Sequence, residues 1–378
     1  MPVLFAFLSK KLTILFHLLP ITTSKRSKDI FNMEKKLYLQ RCFDLAQQGV
    51  ADAPPNPMVG AVLVHQDEII GEGFHAKFGE GHAEVAALKS VTNANKEKIK
   101  KSTLYVSLEP CCIVGNTPAC SDLIIRQNIK NIVYSVSDPT PAVNGSSKKI
   151  LKSAGCTVES DLLPNIGNNI IKTRAVWVNK QRPYIILKYA ESADGFIGKR
   201  DKQVWLSNNI SKIVSHKWRS EVSAILVGTN TVKTDDPALT NRLYSGKSPT
   251  RIFIDKQLKL TTKLQVFNQE ENTWVFTEQK AVESKPNLQY IPVEKGKDFI
   301  TAICQKMHAN NKGVLLVEGG QKLLQSFIDA DCWDEARIFK TPVVLGTGIA
   351  APRFSGRMIK QIRLKDNVLQ QWLREEWR

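Results

Sequence analysis

The order of helical and strand patterns restricts the fold of this 378-residue chain more than any other feature of its sequence. A segment with helical periodicity follows Met33, and short apolar runs typical of strands then alternate with further helical segments. Such alternation is typical of α/β domains, in which helices cover a largely parallel sheet. Because a chain of this length usually forms more than one core, we expect two α/β domains.

The predicted elements of the first half lie between Met33 and Asn179. Helices are predicted at Lys36–Gln48, Ala83–Val91, Ser121–Asn128 and Ile150–Ala154, and strands at Gly60–His65, Ile69–Gly73, Ser102–Ser107, Asn131–Ser135 and Cys156–Val158. A polar turn at Leu163–Asn169 is expected to lead into a short helix that ends near Asn179.

A domain boundary is predicted near residue 181. The segment Lys180–Pro183 indicates a linker, since its proline stands just before a new strand, Tyr184–Tyr189. Further strands are predicted at Ala224–Val227, Arg251–Ile254, Thr273–Phe276 and Val314–Val317. We therefore expect one domain over residues 33–180 and another over residues 181–378.

Residues 1–32 fit the pattern of neither domain. Their apolar runs, Val3–Leu8 and Leu12–Leu19, are separated by two lysines, so neither run is long enough to span a bilayer. No small-residue cleavage site follows them, as a signal peptide would require. We expect an extension upstream of a natural start at Met33, and whether it is translated or acts in targeting stays open. We also expect a cytoplasmic protein that does not bind membranes.

The composition narrows the class of partner only partly. The formal net charge is +17, and the basic residues are spread along the chain rather than gathered into blocks. This distribution suits both nucleic-acid binding and an enzyme with phosphorylated substrates. The seven cysteines form no regular framework, but three of them lie within ten residues. Free thiols available to a metal in a reducing compartment are the better interpretation.

A zinc site is predicted from four residues of the first half. His82 and Glu84 stand at the start of a predicted helix, Cys111 follows a predicted strand, and Cys120 opens the next helix. Each ligand would lie near a helix N-terminus, where the helix dipole favours a thiolate. One imidazole and two thiolates, from His82, Cys111 and Cys120, leave a fourth tetrahedral position open, as in catalytic zinc sites.

Glu84 is predicted to carry protons rather than to bind the metal. Water on such a zinc ion loses a proton near neutral pH. A glutamate beside it can pass that proton to a ring nitrogen and to a leaving amine, the chemistry of hydrolytic deaminases. Eight residues separate Cys111 from Cys120, whereas the usual signature has two. Cys112 is interpreted as a residue that only fills the loop.

From residue 33 onward the chain resembles the bifunctional deaminase–reductase family of riboflavin biosynthesis. The matching motifs of the first half are Pro55–Gly60, Gly71–His75, Gly79–Glu84, Leu108–Cys111, Thr117–Cys120 and Ser137–Pro139. Those of the second half are Leu187–Gly195, Trp205, Trp218–Glu221, Ala224–Thr231, Asp235–Thr240, Arg251–Asp255 and Leu316–Gly320. The wide cysteine spacing is itself characteristic of that family. The resemblance implies a cytidine-deaminase-like α/β/α domain followed by a dihydrofolate-reductase-like α/β domain.

The resemblance further implies two reactions on one phosphorylated pyrimidine, a hydrolase step and an oxidoreductase step. The first half would deaminate 2,5-diamino-6-ribosylamino-4(3H)-pyrimidinone 5′-phosphate with one zinc ion per chain. The second half would reduce the ribosyl group to ribityl with NADPH. The partners expected are this substrate and further copies of the same chain in a homo-oligomer, with no nucleic acid.

Individual residues take their expected roles from the same resemblance. Lys188 and Glu318 would be catalytic and face the ribose, while the forked guanidinium groups of Arg219 and Arg242 suit its phosphate. The residues implied to bind substrate are Asn56, His75, Gln203, Arg219, Ala238, Leu239, Arg242 and Glu318. Those implied to bind NADPH are Ala190, Trp205, Thr231, Asp235, Gly319 and Gly320.

Two glycine-rich segments of the second half invite a cofactor interpretation. Gly313–Gly320 ends an apolar strand and leads directly into a predicted helix, whose first amides suit a pyrophosphate. Gly346–Ala351 matches a dinucleotide fingerprint in letters alone, because Pro352 follows where a helix should continue. We interpret this second segment as a loop.

Two alternatives remain open at this level. A nucleic-acid deaminase with a basic auxiliary domain would account for the charge and the zinc site, but not for the reductase-like half. The second alternative is a protein that has lost deamination. Family members usually carry Ser-His-aromatic-Gly-basic-Thr between the cysteines, whereas Cys112–Thr117 lacks the histidine and the basic residue. Asn116 cannot replace a cation that faces a phosphate, so another basic residue would have to compensate.

Overall fold

The computed structural model describes the backbone of residues 23–115, 117–200, 203–280 and 283–375, and within these ranges the side chains from Asn32 onward. In the first half the helices are α1 (Thr23–Ala46), α2 (Ala83–Ser90), α3 (Cys120–Arg126), α4 (Ser146–Ser153) and α5 (Pro164–Lys180), with 3₁₀ turns at Gln47–Gly49 and Asn93–Lys101. The strands are β1 (Gly60–His65), β2 (Glu68–Phe74), β3 (Thr103–Leu108), β4 (Asn131–Val136) and β5 (Thr157–Glu159).

These five strands form one mixed sheet in the order β2-β1-β3-β4-β5. Strand β1 is antiparallel to both of its neighbours, while β3, β4 and β5 run parallel. Strand residues alternate between two cores, so that Leu63 packs with α2, α3 and α4, whereas Val62 packs with α1 and α5. The result is an α/β/α sandwich with both faces of the sheet covered.

Three helices of this half differ from the prediction. Helix α1 begins at Thr23 rather than at Lys36, and no proline or glycine interrupts its sequence. Helix α4 begins at Ser146 rather than at Ile150. The polar turn predicted at Leu163–Asn169 is wrong from Pro164 onward, where α5 begins. Proline is well tolerated in the first turn of a helix. Asn165, Asn168 and Asn169 resemble a turn in the sequence because they are polar. In the structure they lie on the exposed face of α5.

The second half contains a larger sheet. Its helices are α6 (Asn209–Glu221), α7 (Thr229–Asp235), α8 (Phe299–Ala309) and α9 (Gln321–Asp329), with a 3₁₀ turn at Gln265–Phe267. Its strands are β6 (Tyr184–Glu191), β7 (Phe196–Gly198), β8 (Ala224–Val227), β9 (Thr250–Ile254), β10 (Thr273–Thr277), β11 (Leu288–Pro292), β12 (Val314–Val317), β13 (Glu335–Lys340), β14 (Ile349–Ala350), β15 (Arg357–Leu364) and β16 (Asn367–Leu373).

Nine of these strands pair in the order β11-β10-β9-β8-β12-β6-β13-β16-β15, and β7 pairs with β14 separately. The strands from β11 to β13 are parallel, and β16 and β15 add an antiparallel edge. Helices α8 and α9 cover one face of the sheet, while α6 and α7 pack on the other. Within the described ranges, no helix is long and apolar enough to cross a membrane.

Helix α5 joins the two halves physically. Gly167 lets it approach β4 closely, because a Cβ there would lie 2.6 Å from the Ser135 hydroxyl. Further along the helix, Trp177 stacks on His308 of α8, with ring centroids 4.2 Å apart. Lys172 donates to the Glu335 carboxylate at 2.7 Å. The helix that packs on the first sheet therefore also contacts the second half.

Candidate active sites

The three predicted metal ligands converge at the end of β3. His82 directly precedes α2, Cys111 follows β3, and Cys120 is the first residue of α3. His82 Nδ1 lies 3.3 Å from the Sγ atoms of both Cys111 and Cys120, and the three donor atoms lie within 4.8 Å of one another. One imidazole nitrogen and two sulfurs fit zinc and leave a coordination position for a further ligand.

The same contacts favour the thiolate of Cys111, while the shared hydrogen bond raises the pKa of the Cys120 thiol. Cys120 hydrogen-bonds to Cys111 and, with His82, lowers the pKa of the Cys111 thiol to about 5. The Cys111 sulfur also accepts a hydrogen bond from the backbone N–H of Cys120 at 3.3 Å. A thiolate is thus stabilised where the metal ligand is expected.

Glu84 lies two residues after His82, in the first turn of α2, and is only 3% exposed. Burial raises the pKa of its carboxyl, while the neighbouring His82 opposes this effect. It lines the same cavity as His82 and Cys111. A buried carboxyl with a raised pKa can both accept and return a proton.

Asn56 and His75 form a second polar pair in this half. The Nδ1 atom of His75 lies 3.1 Å from the Gly81 carbonyl, to which it donates, so its Nε2 can accept from Asn56 Nδ2 at 3.2 Å. Burial lowers the pKa of His75, assisted by the nearby His82, and this favours the neutral ring. The pair therefore holds the Asn56 amide in one orientation.

All of these side chains except that of Cys120 line one cavity of about 320 Å³, within the range of small-molecule sites. Two other carboxylates of its lining already accept hydrogen bonds from backbone N–H groups. Glu109 accepts hydrogen bonds from the backbone N–H groups of Gly145 and Lys148, so it caps α4. Asp138 accepts one from the Thr140 N–H at 2.7 Å. Glu84 is therefore the carboxyl best suited to chemistry at the metal.

Arg174 of α5 also lines the cavity, and the motifs did not predict it. A weak signal was present in the sequence. Arg174 stands four residues after the buried Ile170 and three before the buried Trp177, so it lies on the inward face of the helix. A charged residue on a buried face is unusual and marks a candidate functional group.

The loop between Cys111 and Cys120 agrees with the interpretation that Cys112 is not a metal ligand. The Cys112 thiol lies 3.7 Å from the Ala142 carbonyl and is not part of the three-residue metal cluster. Ile113, Gly115 and Thr117 line the cavity. Asn116, on which the comparison with the family pattern depended, lies outside the described residues.

In the second half, three charged residues form a compact network. Glu318, directly after β12, accepts two hydrogen bonds from Arg219, at 3.1 Å from Nε and 2.8 Å from Nη2. The Lys188 ammonium lies 3.6 Å from the same carboxylate. Burial opposes ionisation of Glu318, but the charges of Arg219 and Lys188 outweigh it and lower its pKa to about 2. Arg219 is thus engaged by a carboxylate rather than free.

Arg242 stands beside this network but is exposed. Its backbone N–H donates to His216 Nδ1 at 2.9 Å, and its guanidinium donates to the Thr240 hydroxyl at 2.6 Å. Arg219 donates to the Thr240 carbonyl at 3.0 Å, so both arginines contact the same residue. Ala238 and Leu239 precede it in the chain, and Leu239 is buried.

The residues expected near NADPH are brought together only in part. Gly319 and Gly320 have φ angles of +133° and +73°, and Gly320 caps the N-terminus of α9. A Cβ on Gly320 would lie 3.3 Å from the Thr231 hydroxyl. The bare backbone, the helix end and Thr231 form a cradle that fits a phosphate. The segment Gly346–Ala351 precedes no helix within the described residues, which agrees with rejecting the dinucleotide fingerprint, but its interpretation as a loop is wrong at Ile349–Ala350, which form β14.

The other residues expected to bind NADPH or the substrate differ in their exposure. Ala190 lies on β6 and is half-buried, whereas Asp235 at the end of α7 is exposed. Gln203 is exposed, and the Trp205 side chain is 69% exposed, with only the Lys212 ammonium above its ring. Asp235, Gln203 and Trp205 are therefore surface residues.

Both halves match known families. The family described as the cytidine and deoxycytidylate deaminase zinc-binding region matches residues 33–136. The family described as the RibD C-terminal domain matches residues 183–374. Riboflavin biosynthesis protein RibD of Aquifex aeolicus is 35% identical over 335 residues, covering 86% of this chain and 92% of that protein. RibD of Escherichia coli is 32% identical, covering 83% and 89% of the two chains.

Solved structures agree with these matches. The diaminohydroxyphosphoribosylaminopyrimidine deaminase/5-amino-6-(5-phosphoribosylamino)uracil reductase of Thermotoga maritima has a TM-score of 0.83 and 30% identity, covering 91% of this chain and 99% of the other. RibD of Acinetobacter baumannii has a TM-score of 0.78 and 26% identity, covering 90% and 99%. The expected pairing of a deaminase-like α/β domain with a reductase α/β domain is confirmed. This chain belongs to the RibD family, the bifunctional deaminase–reductases of riboflavin biosynthesis.

Proposed function

We propose that the first half hydrolyses the ring amino group of 2,5-diamino-6-ribosylamino-4(3H)-pyrimidinone 5′-phosphate, and that the second half then reduces its ribosyl group to ribityl with NADPH. The observation that carries the first step is the cluster of His82, Cys111 and Cys120 beside the buried Glu84. The boundary between the two catalytic units is proposed near residue 181. A cytoplasmic location and assembly into a homo-oligomer stay predictions.

In the deaminase step, His82, Cys111 and Cys120 would hold one zinc ion. Zinc would supply the Lewis acidity that makes water a nucleophile at neutral pH. Glu84 would carry one proton of that water to the ring nitrogen. It would then carry the second proton, from the hydroxyl group added to the ring carbon, to the departing amine, so that a carbonyl and ammonia form. Asn56, whose orientation is held by His75, would bind the edge of the pyrimidine.

In the reductase step, NADPH would supply a hydride to C1′ of the ribose. The ring oxygen O4′ must gain a proton as its bond to C1′ breaks. Lys188 is placed to donate that proton, since Glu318 holds its ammonium 3.6 Å away in a site that is largely buried. Arg219 fixes the Glu318 carboxylate from the other side. Gly319, Gly320 and Thr231 would hold a phosphate of the cofactor.

Ammonia release tests the deaminase assignment directly. The zinc-loaded full chain is given the phosphorylated diaminopyrimidine, and Glu84→Gln is compared with Glu80→Gln, a matched change at an exposed residue of the same cavity lining. We expect Glu84→Gln to lower kcat by about 10²- to 10⁴-fold while zinc content is unchanged.

Equal ammonia release from Glu84→Gln and the unmodified protein would contradict the proposal. Deamination of tRNA or single-stranded DNA, with none of the pyrimidine, would favour a nucleic-acid deaminase instead. Glu80→Gln should keep its rate, because Glu80 is exposed and pairs with Lys77.

A further inference from the structure

A cation without a carboxylate at salt-bridge distance faces the deaminase cavity, although Asp138 on the same lining attracts it at longer range. Arg174 is the sole lysine or arginine among the described residues of the lining, and no ion pair to it is present within the described ranges. The eight residues between Cys111 and Cys120 contain no lysine or arginine either. Any positive charge that this cavity offers to a ligand, other than from the metal and the histidines, therefore comes from Arg174.

The guanidinium of Arg174 is only partly satisfied by the protein. Nη2 donates to the Thr140 hydroxyl at 3.1 Å, and Nη1 donates to the Pro55 carbonyl at a long 3.5 Å. Nε has no hydrogen-bond partner among the described residues. An arginine carries five N–H donors, so three have no acceptor within the part of the chain that the structure describes.

Three other arginines with little exposure have more acceptors than Arg174, which is half-buried. Arg182 donates to both carboxylate oxygens of Asp334, and Arg219 does the same with Glu318. Arg251 has no acidic partner at hydrogen-bond distance, but four oxygens accept from its guanidinium. A half-buried charge that faces a cavity and lacks such partners can take them from a bound ligand.

We propose that Arg174 binds the phosphate group of the deaminase substrate. This inference rests on the deaminase function proposed above and assigns the phosphate end of that site to α5. The planar guanidinium presents paired donors that match phosphate oxygens, and the adjacent Thr140 hydroxyl can add a further hydrogen bond. Because Arg174 lines the same cavity as Glu84, one molecule can contact both.

Position on α5 gives this assignment a physical basis. Ile170 and Ile171 bury the preceding turn of the helix, and Val176 and Trp177 bury the following one. The side chain between them is therefore held by packing on both sides rather than by a mobile loop. A phosphate bound to it would be fixed relative to the metal ligands.

The test compares the phosphorylated substrate with its dephosphorylated ribonucleoside in ammonia release by the zinc-loaded full chain. For Arg174→Met, we expect KM for the phosphorylated substrate to rise about 10- to 100-fold, the value of one or two charged hydrogen bonds. The rate on the ribonucleoside should be unchanged. Arg174→Lys should recover part of the loss, since it restores the charge but not the fork.

Lys77→Met is the matched control, because Lys77 is exposed beside the cavity and pairs with Glu80. Zinc content and Tm establish that each variant is folded and loaded. If Arg174→Met slows both substrates equally, Arg174 has a structural role and the inference is wrong. If it leaves both unchanged, the inference is equally wrong. An unmodified protein that releases no ammonia from either substrate would instead refute the proposed function itself.

Discussion

The metal ligands of the first half lie within 4.8 Å of one another, whereas the residues implied for NADPH in the second half range from the buried strand β6 to the exposed Trp205. His82, Cys111 and Cys120 each lie at the edge of a helix or strand, so the backbone positions them without a ligand. Trp205 instead lies between β7 and α6, and its side chain is exposed. The comparison therefore contrasts a candidate metal site whose donor atoms the fold brings together with a candidate cofactor site that has an exposed residue.

The network of Lys188, Glu318 and Arg219 is the exception within the second half. It is buried and already paired, like the zinc cluster. The proposed reductase site therefore has paired residues at its reacting end and the exposed Trp205 at its open cofactor end. Substitutions in the metal site, in the reductase network and at Trp205 test this difference.

The largest expected effect comes from removing a metal ligand. Cys120→Ser should reduce zinc from about one ion per chain to none and lower ammonia release by at least about 10³-fold. NADPH consumption from pre-deaminated substrate should stay largely intact, because the reductase network lies on the other sheet. Metal analysis and the two assays measure these quantities.

Cys112→Ser is the control for that change, since Cys112 is adjacent in sequence but not part of the metal cluster. Its zinc content should equal that of the unmodified protein. A joint loss of both activities in Cys120→Ser would show that the two sites depend on each other.

A smaller effect is expected from breaking the reductase network. Lys188→Met should lower kcat for NADPH oxidation by about 10²-fold, because the proton donor to O4′ is lost, while ammonia release is unchanged. Lys340→Met removes a comparable pair with Glu191 on the neighbouring strand and should keep the activity. Equal loss in the two variants would mean that Lys188 acts through the fold alone.

The smallest effect is expected at the open cofactor end. Trp205→Ala should change the free energy of unfolding by less than about 0.5 kcal/mol, because the side chain is exposed. If the indole packs on NADPH when the site closes, KM for NADPH should rise about 3- to 10-fold. Val344→Ala, at the same 69% exposure, is the control. An unchanged KM in Trp205→Ala would remove Trp205 from the cofactor site.

Local sequence predicted the zinc cluster because each ligand is adjacent to the start of a helix or the end of a strand. The alternation of strands and helices likewise indicated the α/β class, and the proline after Gly346–Ala351 correctly excluded a nucleotide-binding helix there. The start of α5 was mispredicted because its asparagines resemble a turn, although Pro164 is compatible with a first helical turn.

What the sequence by itself determined about this protein is therefore the chemistry that lies in short, contiguous motifs: the metal ligands, Glu84 and the glycines before α9. Only the tertiary structure decided which distant charges meet. Arg219 and Glu318 are 99 residues apart in the chain and form one ion pair. Arg174 lies 54 residues beyond Cys120 and reaches the same cavity. Helical periodicity identifies an inward face, but packing of that helix against the sheet determines what the face meets.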